Sequence, residues 1–406
     1  MTVIEFYDRV ELHNIASTLL CSPDRVIFIG DRAKAMAKTV KLCRTVASAR
    51  GIAVEYSYRS VNKNHLNEIV AALEAIISTY DDCIFDVTGG SEVYLVAVGV
   101  LMERYRGKIQ CQRLRFKNST VMDCDGDGVY FEPESFEISV KETVMLGGGR
   151  VKSATRFLAK TEEDREFHRD IDALWSCCRQ KPSLWNRQLA TLATLCRAFG
   201  KENSLNYEFD FDEAKAYMKG RGNFVLSREI LSFLAQEGLI SDFSFTDTVR
   251  FTFKNARIKR CLTTAGAILE WYIAKLLYEA KDKKGRTIYH DVEVSVTIDW
   301  DGDDRDAFRT YNEIDVFAMR GAVPMFISCK NGAVSVEELY KLNTVAEKFG
   351  KRYAKKVLVA TELDRFGARA EAVRARAEDM DIRLIENIDE LDDRELNRLL
   401  STLWSS

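Results

Sequence analysis

From residue 25 to residue 105 the chain alternates short, nearly continuous apolar runs with stretches of helical periodicity, and this alternation restricts the fold more than any other feature. Arg25 to Gly30 is an apolar run that ends in glycine. Ala33, Met36, Ala37, Val40, Leu42 and Val46 then recur at helical spacing as far as Ser48. A second helix fits His65 to Tyr80, followed by a strand from Cys83 to Thr88 and a helix from Ser91 to Tyr105. Strands that are apolar on both faces must be covered on both faces, the condition met by a parallel sheet between helices. Residues 1–150 are therefore expected to form a Rossmann-like α/β domain.

Farther on, Ile109 to Phe116, the turn-rich Asp123 to Gly128 and alternating runs from Phe136 to Leu146 predict an antiparallel appendage, closed by the linker Gly147 to Gly149. A helical pattern runs from Thr155 to Phe199, with Leu158, Leu174, Leu189, Leu192 and Leu195 as its core. Helices near Glu213 to Met218 and Ser227 to Gln236, the turn Glu237-Gly238 and two β-like runs before Phe253 predict a small winged-helix-like unit. Such a unit serves as a DNA contact, a spacer or a dimer contact. A helix from Thr263 to Glu279 comes next, then strands at Val292 to Asp299, Asn312 to Ala318 and Val323 to Lys330. A helix from Val336 to Phe349 and a strand from Lys356 to Ala360 complete an order compatible with a restriction-endonuclease-like core. The fold class is thus α/β and multidomain: residues 1–150, a helical and winged-helix-like region 151–255, and residues 256–406.

With 406 residues, 46% hydrophobic and 30% charged, and only four prolines, the chain should build more than one core and is neither disordered nor collagen-like. No charge-free apolar run approaches the roughly 18 residues of a bilayer span, Val93 to Met102 included. Met1 to Leu12 is acidic and amphipathic, unlike a secretion leader, so a soluble cytoplasmic protein with no membrane partner is expected. The ten cysteines include no CxxC, and Cys21, Cys43, Cys83, Cys261 and Cys329 lie in or beside apolar segments, as buried small hydrophobes do. A net charge of -3 argues against a protein that coats nucleic acid, leaving local basic patches. These are Lys254, Arg257, Lys259 and Arg260; Lys281, Lys283, Lys284 and Arg286; and Lys348, Lys351, Arg352, Lys355 and Lys356. Each also reads as a solvated helix face.

The segment Asn312 to Lys330 concentrates the chemistry. Alternation along a strand puts Glu313 and Asp315 on one face, and Ser328 and Lys330 on one face of the returning strand. A turn near Arg320-Gly321 would set Asp315 near Ser328 and Glu313 near Lys330. Carboxylates hold Mg²⁺ or Mn²⁺, hard ions that prefer oxygen, beside a phosphodiester, and a lysine orients water or balances the anionic transition state. Paired acids repel unless a cation lies between them. Glu270 is a candidate third carboxylate, in line with Gly266 and Ala274 on a helix whose other face is apolar. Without the strand motif it reads as an ordinary, partly exposed glutamate.

In the N-terminal region two loops follow strands where α/β sheets bind ligands: Gly30-Asp31-Arg32, and Asp86 to Glu92 with Thr88, Gly89, Gly90 and Ser91. A Thr-Gly-Gly turn entering a helix exposes N–H groups and a hydroxyl suited to phosphate or ribose, or simply allows a tight turn. Neither a GxGxxG nor a GxxxxGK[ST] motif is present, which weakens the case for NAD or ATP chemistry.

Taken together, Gly266 to Trp271, Ile298 to Gly302, Asn312 to Val316 and Phe326 to Gly332 closely resemble the nuclease domain of the CRISPR-associated ancillary nucleases. That family joins an N-terminal CARF domain, a sensor of cyclic oligoadenylate, to a C-terminal PD-(D/E)xK nuclease. The resemblance covers essentially the whole chain and is specific in its last third. It implies metal-binding acids at Glu270 and Asp315 and a catalytic lysine at Lys330; Glu313, from its place on the strand, is a further candidate catalytic acid. The position two before that lysine, acidic in the general pattern, is Ser328 here; Glu313 or Glu338 would compensate, although Glu338 also fits a capping box with Ser335. Asp299, Asp301, Asp303 and Asp304 read as a solvated loop near the site. For the first domain the resemblance implies that Thr88, Gly89 and Gly90 form a ligand motif; with Ser91 and Glu92, and the loop of Gly30, Asp31 and Arg32, they are the expected ligand-binding residues. It further implies cyclic tetra-adenylate lying across the two-fold axis of a homodimer and shifting the nuclease toward a competent arrangement. The activity so implied is type III CRISPR antiviral defence by metal-dependent cleavage of DNA, with RNA as a second candidate substrate.

Three other readings are weaker. Asp123 to Gly128 with Glu134 has the spacing of a Ca²⁺-binding EF-hand loop, but Pro133 and β-like flanks favour a hairpin tip. A ligand-responsive regulator would bind DNA through the winged-helix-like unit and keep an inactive nuclease-like domain. A sensor that also degrades its own activator is the third. The histidines His13, His65, His168 and His290 are too scattered for other chemistry.

Overall fold

The computed structural model describes residues 1–105, 109–116, 120–123, 129–130, 136–201, 203–302 and 311–403. The EF-hand-like positions 124–128 and 134, and Asp303 and Asp304, lie outside them. The chain opens with a strand the periodicity had not disclosed, β1 (Thr2–Phe6), whose five residues are all buried at the centre of the first sheet. There follow α1 (Ala16–Cys21), β2 (Arg25–Gly30), α2 (Ala33–Ala49), β3 (Glu55–Ser60), α3 (Leu66–Ile77), β4 (Cys83–Asp86) and α4 (Glu92–Arg104). Strands β5 (Gln110–Arg115), β6 (Thr120–Asp123) and β7 (Val129–Tyr130) complete the sheet, in the order β3-β2-β1-β4-β5-β6-β7. Pairing is parallel from β3 to β5 and antiparallel from β5 to β7. Chain progression reverses between β1 and β4, the position at which open α/β sheets hold ligands beyond the strand ends.

Phe136 to Leu146, expected as alternating strands, instead contains helix α5 (Val140–Leu146). Ser139 and Glu142 form a reciprocal capping box, and Val140, Thr143 and Val144 are buried at helical spacing. Gly147 to Gly149 is not a slack linker. A Cβ at Gly147 or Gly149 would come within 2.5 or 2.7 Å of the Phe349 ring, so these residues are glycine because an aromatic ring lies on the backbone. Next comes β8 (Arg150–Arg156), in a stretch read partly as helix, which forms the edge of the C-terminal sheet.

The middle region holds α6 (Glu162–Gln180), α7 (Pro182–Phe199), β9 (Asn206–Asp210), α8 (Phe211–Met218), α9 (Arg228–Gln236), β10 (Ile240–Phe245) and β11 (Thr248–Phe253). The three strands pair as β10-β11-β9, giving the winged-helix-like arrangement expected. Two helices follow, α10 (Ala256–Thr263) and α11 (Ala267–Glu279), where one was expected from Thr263. Gly266 separates them at φ 81°, in the left-handed region that glycine enters without a Cβ penalty.

The last sheet contains β12 (Asp291–Asp299), β13 (Tyr311–Arg320), β14 (Val323–Lys330), β15 (Lys355–Ala360) and β16 (Arg383–Ile385), with α12 (Val336–Phe349), α13 (Ala368–Asp379) and α14 (Asp393–Thr402) around it. Its order is β16-β15-β14-β13-β12-β8. Helix α11 buries Leu269, Tyr272, Ile273 and Leu276 in one core with Val294, Val316 and Ile327, while α12 buries Leu339 and Val345 in the other with Phe317 and Phe326. That second core is continuous with Val3, Phe28 and Met36 of the first lobe through Val140 and Val144 of α5. Among the described residues, nine cysteines are free and no helix is long and apolar enough to cross a membrane.

Candidate active site and ligand loops

The β13–β14 ladder pairs Arg320 with Val323 through Val316 with Ile327 and ends there. Beyond that point the Asp315 carboxylate occupies the fork, accepting the Cys329 N–H at 2.7 Å and the Ser328 hydroxyl at 3.2 Å. Asp315 and Ser328 therefore meet as the strand register predicts. Lys330 reaches Asp315 at 3.5 Å and Glu338 of α12 at 3.0 Å. Glu313 is exposed at the end of β13, and among the described residues Lys330 has no ion pair with it. The expectation of a Glu313–Lys330 neighbour assumed that the hairpin ladder continues, whereas it ends at the fork.

Glu270 enters the same region from α11. Because the helix starts at Ala267, Glu270 lies in its first turn, where the exposed N–H dipoles favour a carboxylate. Its Oε2 accepts the Ser295 hydroxyl at 3.1 Å. Ser295 has a left-handed φ of 51°, uncommon for a residue with a side chain, and lies opposite Asp315 between the pairs Val294–Val316 and Val296–Ile314. Burial, then the charges of Asp315 and Glu313, push the Glu270 carboxyl up to about 7, despite the Ser295 hydrogen bond. Burial works against the Lys330 ammonium, but Asp315 and Glu338 outweigh it and hold the lysine above its ordinary value.

Glu270, Asp315 and Lys330 thus converge, with Glu313 at the rim. Glu338 is engaged by Lys330 and by Lys341 at 2.7 Å, and Ser335, the residue before α12, makes no side-chain cap, so the capping box expected there is absent. Asp299 is not a solvated loop residue: it is buried at the end of β12, 3.6 Å from Arg150 and 3.7 Å from Lys152 of β8. Among the described residues no three His, Cys, Asp or Glu side chains form a metal-holding group. The donors at hand are two carboxylates, Glu270 and Asp315, with two hydroxyls, Ser295 and Ser328. All are oxygens, as Mg²⁺ and Mn²⁺ prefer, and the two carboxylates bring negative charge that a cation would offset, so the set fits a divalent ion.

The backbone behind Lys330 is braced from the middle region. Asn186 of α7 donates to the Asn331 carbonyl at 2.6 Å and receives the Asn331 amide at 2.8 Å, while the Thr361 hydroxyl donates to Asn331 at 2.8 Å. Neither Asn186 nor Ser295 stood out in the sequence, because an amide or a hydroxyl carries no pattern of its own.

At the other end of the molecule, Gly30 to Arg32 and Thr88 to Glu92 follow β2 and β4, with β1 between them. The loop after β1 therefore joins the site, and its Asp8 is the principal residue missed. Asp8 Oδ2 accepts the Gly90 N–H at 3.1 Å, and Asp8 Oδ1 accepts that of Val10 at 2.8 Å. Although burial opposes its charge, His13 and these N–H groups hold Asp8 at about 2. A Cβ at Gly89 would lie 2.8 Å from that of Asp8, and one at Gly90, where φ is 91°, would lie 2.5 Å from that of Phe6. Both glycines are needed for this close approach. Thr88 is tied down, its N–H on Asp86 at 2.7 Å and its hydroxyl accepting the Leu114 N–H at 2.8 Å. Asp31 pairs with Lys63 at 3.0 Å, and Arg32 and Glu92 are exposed. His13 continues the network: its Nδ1 is 3.5 Å from Asp8, and its Nε2 is 2.8 Å from the Tyr353 hydroxyl and 2.9 Å from Arg352, both just after α12.

A largely parallel sheet with loops gathered at its switch point, a winged-helix-like region and a mixed sheet bearing acids and a lysine at a strand fork make up the fold. No family model matches the sequence, and no curated protein does. Solved structures match it along nearly its full length. Can2 from Sulfobacillus thermosulfidooxidans, determined in complex with cyclic tetra-adenylate, shares 15% identity with a TM-score of 0.68, over 100% of this chain and 97% of that one. Protein VC1899 from Vibrio cholerae shares 16% identity with a TM-score of 0.73, over 99% and 98%. At these identities the likeness is one of fold, and at that level the resemblance read from the sequence holds.

Proposed function

We propose that this chain is a metal-dependent endonuclease switched on by a cyclic oligoadenylate, with cyclic tetra-adenylate as the activator. The observation that carries the reading is the meeting of Glu270, Asp315 and Lys330, distant in sequence, around one strand fork. Glu270 and Asp315 would hold Mg²⁺ or Mn²⁺, which when bound supplies an activated water and charge for the phosphoryl oxygens. Lys330, kept protonated by Asp315 and Glu338, acts as a cation that balances the developing phosphorane charge rather than as a base. Glu313 at the rim is an accessory acid. The substrate is DNA, with RNA as a second candidate.

Ligand sensing is supported by the loops beyond β1, β2 and β4 and by the shared fold with Can2, which was determined with cyclic tetra-adenylate. Gly30, Asp31, Arg32, Thr88, Gly89, Gly90, Ser91 and Glu92 line the ligand, and Asp8 shapes the loop. A homodimer closes around it through α4, where Leu95 and Val96 are exposed next to Glu92. The protein acts in the cytoplasm, within CRISPR antiviral defence.

The test is to incubate plasmid, single-stranded DNA and RNA with Mn²⁺ or Mg²⁺, with and without cyclic tetra-adenylate. The wild type should cut only with both metal and ligand, and Lys330→Ala should cut at least about 100-fold more slowly. Intact ligand and DNA binding with no cleavage under any metal would overturn the reading in favour of a DNA-binding regulator. The integrity of the cyclic adenylate in the same tubes tells whether the activator is itself consumed.

A further inference from the structure

The basic patch read at residues 254–260 divides in two in the structure. Lys254 is taken up by Glu166 at 2.7 Å and Asp170 at 2.8 Å, and Arg257 by Asp164 at 3.2 Å. Lys259 and Arg260 have no carboxylate partner among the described residues. Lys259 instead donates to the Ser204 carbonyl at 2.8 Å and lies over the Tyr207 ring.

Lys259 also lines an open cleft of about 690 Å³ between the end of α7, the start of β9 and the α10–α11 junction. Arg197 and Lys201 line it too, both exposed and, among the described residues, without a carboxylate partner. None of the described residues of the lining is acidic. In a chain with 62 acids against 59 bases, a cavity whose described lining residues include three cations and no acid departs from the general composition and concentrates positive potential. One end of the cleft is formed by Thr263, Thr264 and Ala265, the segment immediately before the Gly266 turn and Glu270.

We infer that this cleft binds the phosphate backbone of one nucleic-acid strand and leads it to the Glu270–Asp315–Lys330 fork. That the strand is then cut rests on the nuclease reading above. Helix α9, which takes the place of a recognition helix in a winged-helix unit, is a poor rival. It carries Arg228 beside Glu229, and Ile230, Leu231 and Leu234 are buried. A cationic groove that follows the backbone and reads no base edges gives binding with little sequence preference and strong salt dependence.

The test measures affinity for a labelled single-stranded DNA oligonucleotide and its RNA counterpart in EDTA, over a range of salt concentrations. It compares the wild type, Arg197→Glu with Lys201→Glu, and a control of equal charge change, Lys283→Glu with Lys284→Glu. Circular dichroism and melting confirm that all three are folded. The cleft variant should bind at least tenfold more weakly, with a log K against log salt slope shallower by about 1.4, about 0.7 for each lost phosphate contact. The control should stay within about threefold of wild type by the same electrostatic argument. Equal effects of the two double substitutions, or no effect of either, or no binding by the wild type, would overturn the inference. Salt-sensitive binding that depends on Arg197 and Lys201, in a wild type that never cuts, would support the cleft and overturn the nuclease reading alone.

Discussion

Glu270 retains its proton near neutral pH because it is buried beside a second carboxylate, and this links the site to stability. An acid whose pKa is higher folded than unfolded binds more protons in the native state, so its contribution is complete below about 4.5 and is lost as pH rises toward about 7. The loss is on the order of 3 kcal/mol. In EDTA the wild type should therefore lose stability between pH 5 and pH 8, and Glu270→Gln should remove that part of the slope, as read by denaturant unfolding. An unchanged slope would mean that Glu270 is solvated. Asp315 and Lys330 were legible in the sequence because strand alternation fixes which residues share a face. The partner of Lys330 was not, since nothing in the sequence says where a ladder ends and two strands part. Asp8 was missed for a related reason: β1 was not recognised, so the loop after it had no sheet edge to belong to.

Among the elements, the turn between β4 and α4 depends on its two glycines, which let the backbone pass against Phe6 and Asp8. Gly90→Ala adds a Cβ into that contact at a left-handed φ, and should cost about 1–3 kcal/mol. It should also abolish the rise in melting temperature caused by cyclic tetra-adenylate. A melt and a ligand response equal to wild type would show that the turn tolerates the side chain. The long periodic elements were readable, α2, α3, α4 and α12 falling within a few residues of expectation. Short elements were not. Seven residues of α5 fit an alternating pattern as readily as a helical one, and only the Ser139–Glu142 box favours the helix. Strand β8 is polar and largely exposed at a sheet edge, so it lacks the apolar run by which the inner strands were found.

Across the whole molecule, the two sheets share an apolar core through α5, and the Arg50 guanidinium, just after α2, grips Glu142 at 2.7 Å. The order of the three regions could be read from the sequence; their mutual packing could not, because Gly147 to Gly149 looks like a tether until Phe349 is seen lying on it. A packed route therefore joins the loops around Gly90 to the Lys330 fork, and on the proposed function a ligand bound at the loops would be felt at the fork. His13→Ala and Glu338→Gln should each reduce the ligand-stimulated cleavage rate, and the double variant should lose less than the sum of the two in free energy. Strict additivity in that cycle would mean that the two residues act independently.

Helix α12 gives that expectation its mechanical sense. Its first turn holds Glu338, which grips Lys330 at the strand fork, and four residues past its end Tyr353 touches the histidine that steadies the Gly90 turn. Fourteen residues of helix make a stiff rod of about 21 Å. Such a rod has a stroke: a push on its Tyr353 end would be felt at Glu338, and through Glu338 by the Lys330 amine, which reaches from β14 to both Glu338 and Asp315.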